Sequence, residues 1–224
     1  LCTMSYEINT KNAYRNTKKA KEYQDQYIQG AKWARFTMWR QKGIIQNLVG
    51  HCQINEGDAV LDIPCGTGYI GSILSACKGD IFASDISSEM MDLGFSEYGQ
   101  GNLAGFVQSD ITEIPFRDGA FRSVIVLALM HRLPKEIRAR VLSETYRVSN
   151  KYVIMSYSVE SFSQKIKQWL LLKIKGSHIP APASISLDIM REELAVAGFK
   201  VVKMKHIVFF LSAKVVFLLK KENS

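Results

Sequence analysis

Two carboxylates flank a glycine-rich turn in the run Val60-Leu-Asp-Ile-Pro-Cys-Gly-Thr-Gly-Tyr-Ile-Gly71: Asp62 stands four residues before Gly66, and Asp85 nineteen after it. Gly66, Gly68 and Gly71 have the GxGxxG spacing of a tight strand-to-helix turn whose backbone a ligand can approach closely. An acidic residue about twenty positions on can accept both hydroxyls of a ribose. This predicts a nucleoside cofactor. Asp62 narrows the choice, because in a dinucleotide site the helix N-terminus faces a pyrophosphate, which a carboxylate would repel. A ligand with a positive end suits Asp62 better. S-adenosylmethionine has a sulfonium and an ammonium besides its ribose, and Asp110, in Gln108-Ser-Asp110, is placed to accept a hydrogen bond from an adenine amino group.

Two further side chains could react. Cys65 lies within the glycine turn, where the room a ligand needs accounts for a small residue without any nucleophilic role. His131 follows the fourth expected strand, at the edge where open α/β sheets bind ligands. Methyl transfer from a sulfonium needs alignment and desolvation above all, and a base only when the acceptor must lose a proton. His131 is the candidate for that base. Cys2, Cys52, Cys65 and Cys77 form no CxxC pair, and with the four histidines they make no zinc-ligand spacing, so a reduced compartment is expected and no metal.

The elements that must position these groups alternate along the chain. Strands are expected at Ala59–Ile63, Asp80–Ser84, Leu103–Gln108, Ser123–Leu129 and Tyr152–Tyr157, with helices at Gly68–Cys77, Ser87–Tyr98 and Pro134–Val148 between them. That rhythm predicts an α/β doubly wound, Rossmann-like sheet covered on both faces. A helix at Leu187–Ala197 and a strand pair, Phe199–Lys205 and Lys214–Lys220, follow. Before the core, residues 1–55 read as a helical cover, with Trp33, Phe36, Arg40, Ile44 and Leu48 at helical spacing and Trp33, Phe36 and Trp39 expected as core and cover contacts. Residues 160–186 read as an insertion after the fifth strand, and its Lys165–Lys175 segment as a substrate lid. No linker separates parts of residues 1–224, so one domain is expected.

Four stretches carry a resemblance: Leu61-Asp-Ile-Pro-Cys-Gly-Thr-Gly68, Ser84-Asp-Ile-Ser-Ser-Glu-Met90, Ser109-Asp-Ile-Thr-Glu-Ile-Pro-Phe116 with Asp118 and Phe121, and Leu129-Met-His-Arg-Leu-Pro134 with Glu144 and Arg147-Val148. They resemble the class I S-adenosylmethionine-dependent methyltransferases of the ubiquinone and menaquinone biosynthesis group (methyltransferase type 11). The resemblance implies a seven-stranded sheet of order 3-2-1-4-5-7-6 with the last strand antiparallel. It also implies S-adenosyl-L-methionine as cofactor, with S-adenosyl-L-homocysteine as product. The implied cofactor site is Tyr23, Asp62, Pro64, Cys65, Gly66, Thr67, Gly68, Asp85, Ile86, Met90, Asp110, Ile111 and Leu127. Within it, Asp62 and Gly66 lie beside the methionine moiety, Asp85 on the ribose, Met90 near the adenine and Asp110 on its amino group. Tyr23 is expected to cover the methionine end. Arg132 stands where the group often has a second His or an aromatic residue.

A net charge of +8 invites nucleic acid or an anionic membrane as partner, but its distribution changes the inference. The first 59 residues carry 9 basic and 5 acidic side chains, residues 60–159 carry 9 and 11, and the remainder 11 and 5. The presumed core is slightly acidic and the excess lies in the flanks that would cover the acceptor. Methyl transfer to a small, partly apolar acceptor is expected, on oxygen, nitrogen or carbon, and the basic flanks favour an acceptor with an anionic group or a nearby anionic surface. RNA methylation remains an alternative that the basic flanks permit, although neither an Asn-Pro-Pro-Tyr tetrad nor paired catalytic cysteines are present. A nicotinamide-dependent oxidoreductase would explain the bare GxGxxG but not Asp62. A catalytically silent binding module is the fourth reading. The longest apolar runs are far short of the ~20 residues that span a bilayer, and no signal peptide shows in Leu1 to Asn16. The expected location is cytoplasmic, with peripheral membrane contact open through the Lys165–Lys175 segment.

Overall fold

The computed structural model describes residues 18, 20–22, 25, 32–99, 101–159, 184–208 and 213–222. Seven strands form one sheet in the order β3-β2-β1-β4-β5-β7-β6, namely β1 (Ala59–Asp62), β2 (Asp80–Asp85), β3 (Leu103–Gln108), β4 (Phe121–Val126), β5 (Ser149–Ser158), β6 (Phe199–His206) and β7 (Lys214–Lys221). Strands β1 to β5 pair in parallel, and β7 runs antiparallel between β5 and β6. This is the expected topology. The α-helices whose full spans lie among the described residues are α1 (Lys32–His51), α2 (Gly71–Leu74), α3 (Ser88–Gly94), α4 (Lys135–Val148) and α5 (Leu187–Val196).

The central strands are apolar at nearly every position because both faces of the sheet are covered. Their period of two sends alternate residues to opposite sides. Leu61, Val124, Val126, Val153, Met155 and Phe217 pack with Ile137, Val141 and Leu142 of α4 and Met190 and Leu194 of α5. Val60, Ile125, Ile154, Val216 and Leu218 pack with Ile45, Leu48 and Val49 of α1, Leu74 and Met91. Each fully buried aliphatic side chain is worth about 1.5–3 kcal/mol, so the two layers supply the main driving force. An ion pair joins the helices of the first layer: Arg138 donates through Nε and Nη2 to both oxygens of Glu193, at 2.9 and 2.6 Å, and through Nη1 to Leu133 O.

Several boundaries differ from expectation for local reasons. The helix after the glycine turn is only α2, because Gly66 and Gly68 have φ of +54° and +72° and hold the backbone out of the helical region until Gly71. The expected helix over Ser87–Tyr98 is α3 followed by a 3₁₀ turn at Phe95–Tyr98. Strand β4 stops at Val126, two residues before Ala128, whose φ is +55°.

The aromatic residues of α1 correct an expectation. Trp33, Phe36 and Trp39 are 50%, 44% and 69% exposed, whereas the face buried on the sheet is Gln41, Ile45, Leu48 and Val49. At 100° per residue the two sets lie on opposite sides of the helix, so the row drawn through Trp33, Phe36, Arg40, Ile44 and Leu48 crosses from one face to the other. Tyr23 and the Lys165–Lys175 segment lie outside the described residues. Just past β5, Val159 bridges in parallel to Ile185, whose N–H donates to Ser158 O at 3.0 Å.

Candidate active site

The ends of β1, β2 and β4 and the loops after β3 and β4 meet at the C-terminal edge of the parallel strands, the usual ligand edge of such sheets. A cleft opens there. It is lined by Asp62, Ile63, Pro64, Cys65, Gly66 and Thr67 after β1, and by Asp85, Ile86, Ser87 and Met90 after β2. Ser109, Asp110 and Ile111 follow β3, and Leu127, Ala128, Leu129 and Arg132 follow β4. Every described cofactor candidate from the sequence reaches the cleft except Gly68.

The three glycines divide the work. Gly66 faces the cleft, and a side chain on it would meet only Met90 Cε, at 3.5 Å. Gly68 and Gly71 instead face the end of α3. A Cβ on Gly68 would come within 2.6 Å of Gly94 O, and one on Gly71 within 2.6 Å of the Glu97 backbone. Their absent side chains let the turn lie directly on α3, and Gly94 completes the approach from the other side.

Asp85 holds the turn together as well as facing the cleft. Its Oδ2 accepts from Gly66 N–H at 2.8 Å and its Oδ1 from Ser87 N–H at 3.0 Å. Burial raises the Asp85 pKa, and the N–H donors of Ser87, Gly66 and Ile86 act against the rise. Asp110 is similarly braced, Oδ1 accepting from Thr112 N and Oγ1 at 2.9 and 2.8 Å, an Asx-type turn that fixes its carboxylate at the cleft.

Asp62 is the most deeply buried carboxylate of the cleft, 2% exposed, and accepts from Tyr98 Oη at 2.6 Å. Burial pushes its pKa up to about 7, the Tyr98 hydrogen bond opposes this, and the Asp85 charge adds to it. Cys65 is also buried, which raises its thiol well above the ordinary value, with Asp62 and Asp85 adding to the rise. A thiol so held stays protonated and is no nucleophile.

On the β4 and β7 side of the cleft the positive groups gather. Arg132 lies in the 3₁₀ turn Met130–Arg132, and Lys214 is the first residue of β7. Because β7 is antiparallel, its first residue sits opposite Ser158 at the end of β5, and so on the cleft edge. His131 lies beside the cleft lining with a buried Nδ1 that has no hydrogen-bond partner. Burial, Arg132 and Lys214 lower its pKa to about 4. The imidazole is therefore neutral at pH 7, and a conjugate acid this strong makes it a weak proton acceptor.

The α1 cover supplies Met38 and Gln41 to the cleft, and Tyr69 Oη donates to Met38 O at 3.0 Å, tying cover to glycine turn. Sequence reading missed Met38, Gln41, Ser87, Ser109, Ala128 and Lys214 as lining residues. Only Ser87, just after Asp85, and Ser109, just before Asp110, had a local signal.

Among the described residues, no group of three or more His, Cys, Asp and Glu side chains could hold a metal, and no helix is long and apolar enough to cross a membrane.

Topology, glycine turn and acidic strand ends together make a Rossmann-like α/β cleft suited to a nucleoside ligand. Residues 60–151 match the family model described as a methyltransferase domain. Among curated proteins, the O-methyltransferase cnsE of Penicillium expansum is 26% identical over 157 residues, covering 68% of this chain and 55% of that protein. The demethylmenaquinone methyltransferase of Clavibacter sepedonicus is 31% identical over 70 residues, covering 31% and 29%. The chain thus spans about half the length, or less, of these relatives. Among solved structures, the magnesium protoporphyrin IX methyltransferase of Synechocystis PCC 6803 with bound S-adenosylhomocysteine shares the fold at a TM-score of 0.69 and 17% identity, covering 85% of this chain and 88% of that one.

Proposed function

We propose that this chain transfers the methyl group of S-adenosylmethionine to a small, partly apolar acceptor that bears an anionic group. The observation that carries this reading is the division of charge along one cleft: Asp62, Asp85 and Asp110 lie at the ends of β1 to β3, and Arg132 and Lys214 at the β4 and β7 side. The acidic half suits the cofactor, with Asp85 on the ribose hydroxyls, Asp110 on the adenine amino group, Met90 against the ring and Asp62 towards the methionine ammonium. The basic half suits the acceptor. The names of the relatives, which include small-molecule methyltransferases, agree with this class of substrate.

The chemistry is an in-line displacement. A lone pair of the acceptor forms a bond to the methyl carbon as the carbon–sulfur bond breaks, and the neutral thioether departs as S-adenosylhomocysteine. The protein's contribution is alignment and the exclusion of water.

The test begins with calorimetry: S-adenosylhomocysteine binds and NAD does not, whereas the reverse would assign an oxidoreductase. Acceptor pairs, each a carboxylic acid and its methyl ester, then probe the basic half. The acid of a productive pair is used at least tenfold better, a difference of about 1.4 kcal/mol. Arg132→Gln with Lys214→Gln narrows that preference to about twofold while cofactor affinity stays unchanged. Equal use of acid and ester by the unaltered protein would sink the anionic acceptor.

Asp62 makes cofactor binding depend on pH. With the free carboxyl pKa at about 7, an approaching ammonium favours the ionised form and lowers it, so binding releases a proton. Affinity for S-adenosylhomocysteine rises through pH 7 and levels off above it, being about tenfold weaker at pH 6 than at the plateau. Without ligand the sign is opposite: the folded pKa exceeds the unfolded value, so the carboxyl's contribution to stability is full below pH 4 and lost as pH rises through 7. Tyr98→Phe removes a hydrogen bond that holds the pKa down, and moves the binding midpoint to higher pH. Calorimetry across buffers of different ionisation enthalpy measures both effects, and a pH-independent affinity would exclude the Asp62 contact.

A further inference from the structure

The covering helix α1 presents a second apolar face on the side away from the sheet. Trp33, Phe36 and Trp39 form a ladder on it, with ring centroids 5.8 and 6.1 Å apart, and all three are substantially exposed. The same twenty residues contain Lys32, Arg35, Arg40 and Lys42 and not one acidic side chain. Beyond Trp39, a shallow groove continues the basic surface with Arg40, Lys42, Lys205 and His206. Three aromatic side chains along one face of a helix whose charged residues are all basic combine the two attractions that hold a helix at a lipid surface: apolar burial at the headgroup boundary and charge complementarity with anionic lipid. The indole has an apolar body and a polar N–H suited to that depth. Pairing with a second copy would instead set these cations against themselves, with no acid on the helix to answer them.

We propose that the Trp33–Phe36–Trp39 face of α1 docks on an anionic phospholipid surface. The opposite side of the helix contributes Met38 and Gln41 to the cleft, so docking sets the cleft beside the lipid, from which a partly apolar acceptor could enter.

Cosedimentation with vesicles of phosphatidylcholine, with and without phosphatidylglycerol, tests this by binding alone. A failed methyl-transfer reading therefore leaves the docking result standing, and the reverse holds too. The unaltered protein is expected to pellet with phosphatidylglycerol vesicles and to be released by high salt. Lys32→Gln with Arg35→Gln weakens binding about thirtyfold, from about fivefold for each cation near a charged surface. Trp33→Ala with Trp39→Ala abolishes pelleting. Both variants change only exposed side chains, and unaltered thermal midpoints and S-adenosylhomocysteine affinity verify that they fold. The proposal is overturned if the protein stays in the supernatant, if it binds both vesicle types alike, or if the variants pellet undiminished. It is equally overturned if the aromatic variant instead dissolves a dimer seen by ultracentrifugation, or abolishes retention of a single-stranded oligonucleotide, without vesicle binding.

Discussion

Asp85→Ala is expected to weaken S-adenosylhomocysteine binding by about 10² to 10⁴. Two hydrogen bonds from ribose hydroxyls to a carboxylate, at about 1.5–3 kcal/mol each, give that range. The same carboxylate accepts from Gly66 and Ser87 N–H, so the variant also loses stability, by about 1–3 kcal/mol in all for the two donors left to water in the open cleft. Asp85→Asn separates the two effects. Its single oxygen can keep one backbone bond while its NH₂ faces the other donor, and affinity should fall between those of the parent and the alanine variant. Calorimetry and thermal denaturation give the two numbers independently. Unchanged affinity in a folded Asp85→Ala protein would exclude the ribose contact.

The largest loss of stability is expected from Gly94→Ala. A Cβ there would meet Gly68 N at 2.6 Å, Thr67 C at 2.7 Å and Gly66 O at 2.9 Å, all of them backbone atoms that cannot rotate away. About 3 kcal/mol is a reasonable cost for forcing the two segments apart, and the cofactor turn moves with them. Gly66→Ala is the contrasting case. Its Cβ has space, so the cost is the left-handed φ, about 1–2 kcal/mol. Gly66→Ala should fold and bind cofactor poorly, whereas Gly94→Ala should lower the unfolding midpoint further than either Gly66→Ala or Asp85→Ala. Denaturant titration of the pair checks the order, and a Gly94→Ala protein as stable as the parent would refute the packing role.

The contrast between Gly66 and Gly94 shows where sequence reading ended. Gly66, Asp62 and Asp85 are legible because a short turn between strand and helix fixes their relation within some twenty residues. Gly94 looks like an ordinary helix end, since its purpose is to receive a turn that lies more than twenty residues earlier. The strands of the parallel core were readable from their apolar runs, but β4 ended early at the strained Ala128, which no residue type announces. Lys214 reaches the cleft only because β7 is antiparallel, a consequence of topology. On α1 the sequence contains two apolar stripes, and periodicity alone could not say which of them the sheet would take.

The place of β7 has a consequence for how the chain is made. The last strand in sequence fills an interior position of the sheet, and its residues from Val215 to Leu219 are almost completely buried. During synthesis, residues 60–159 emerge with β5 as a temporary edge, and β6 has no neighbour to pair with until β7 has left the ribosome. The sheet is thus completed by insertion rather than by addition at a rim. Until then the nascent protein exposes an open apolar edge of the kind chaperones bind, and the segment that closes it, Val-Val-Phe-Leu-Leu, is itself prone to cross-β pairing. Lys214 at one end and Lys220 and Lys221 at the other act as charged gatekeepers for that interval. Lys214 then has two successive duties, first keeping unfinished chains apart and later lining the cleft.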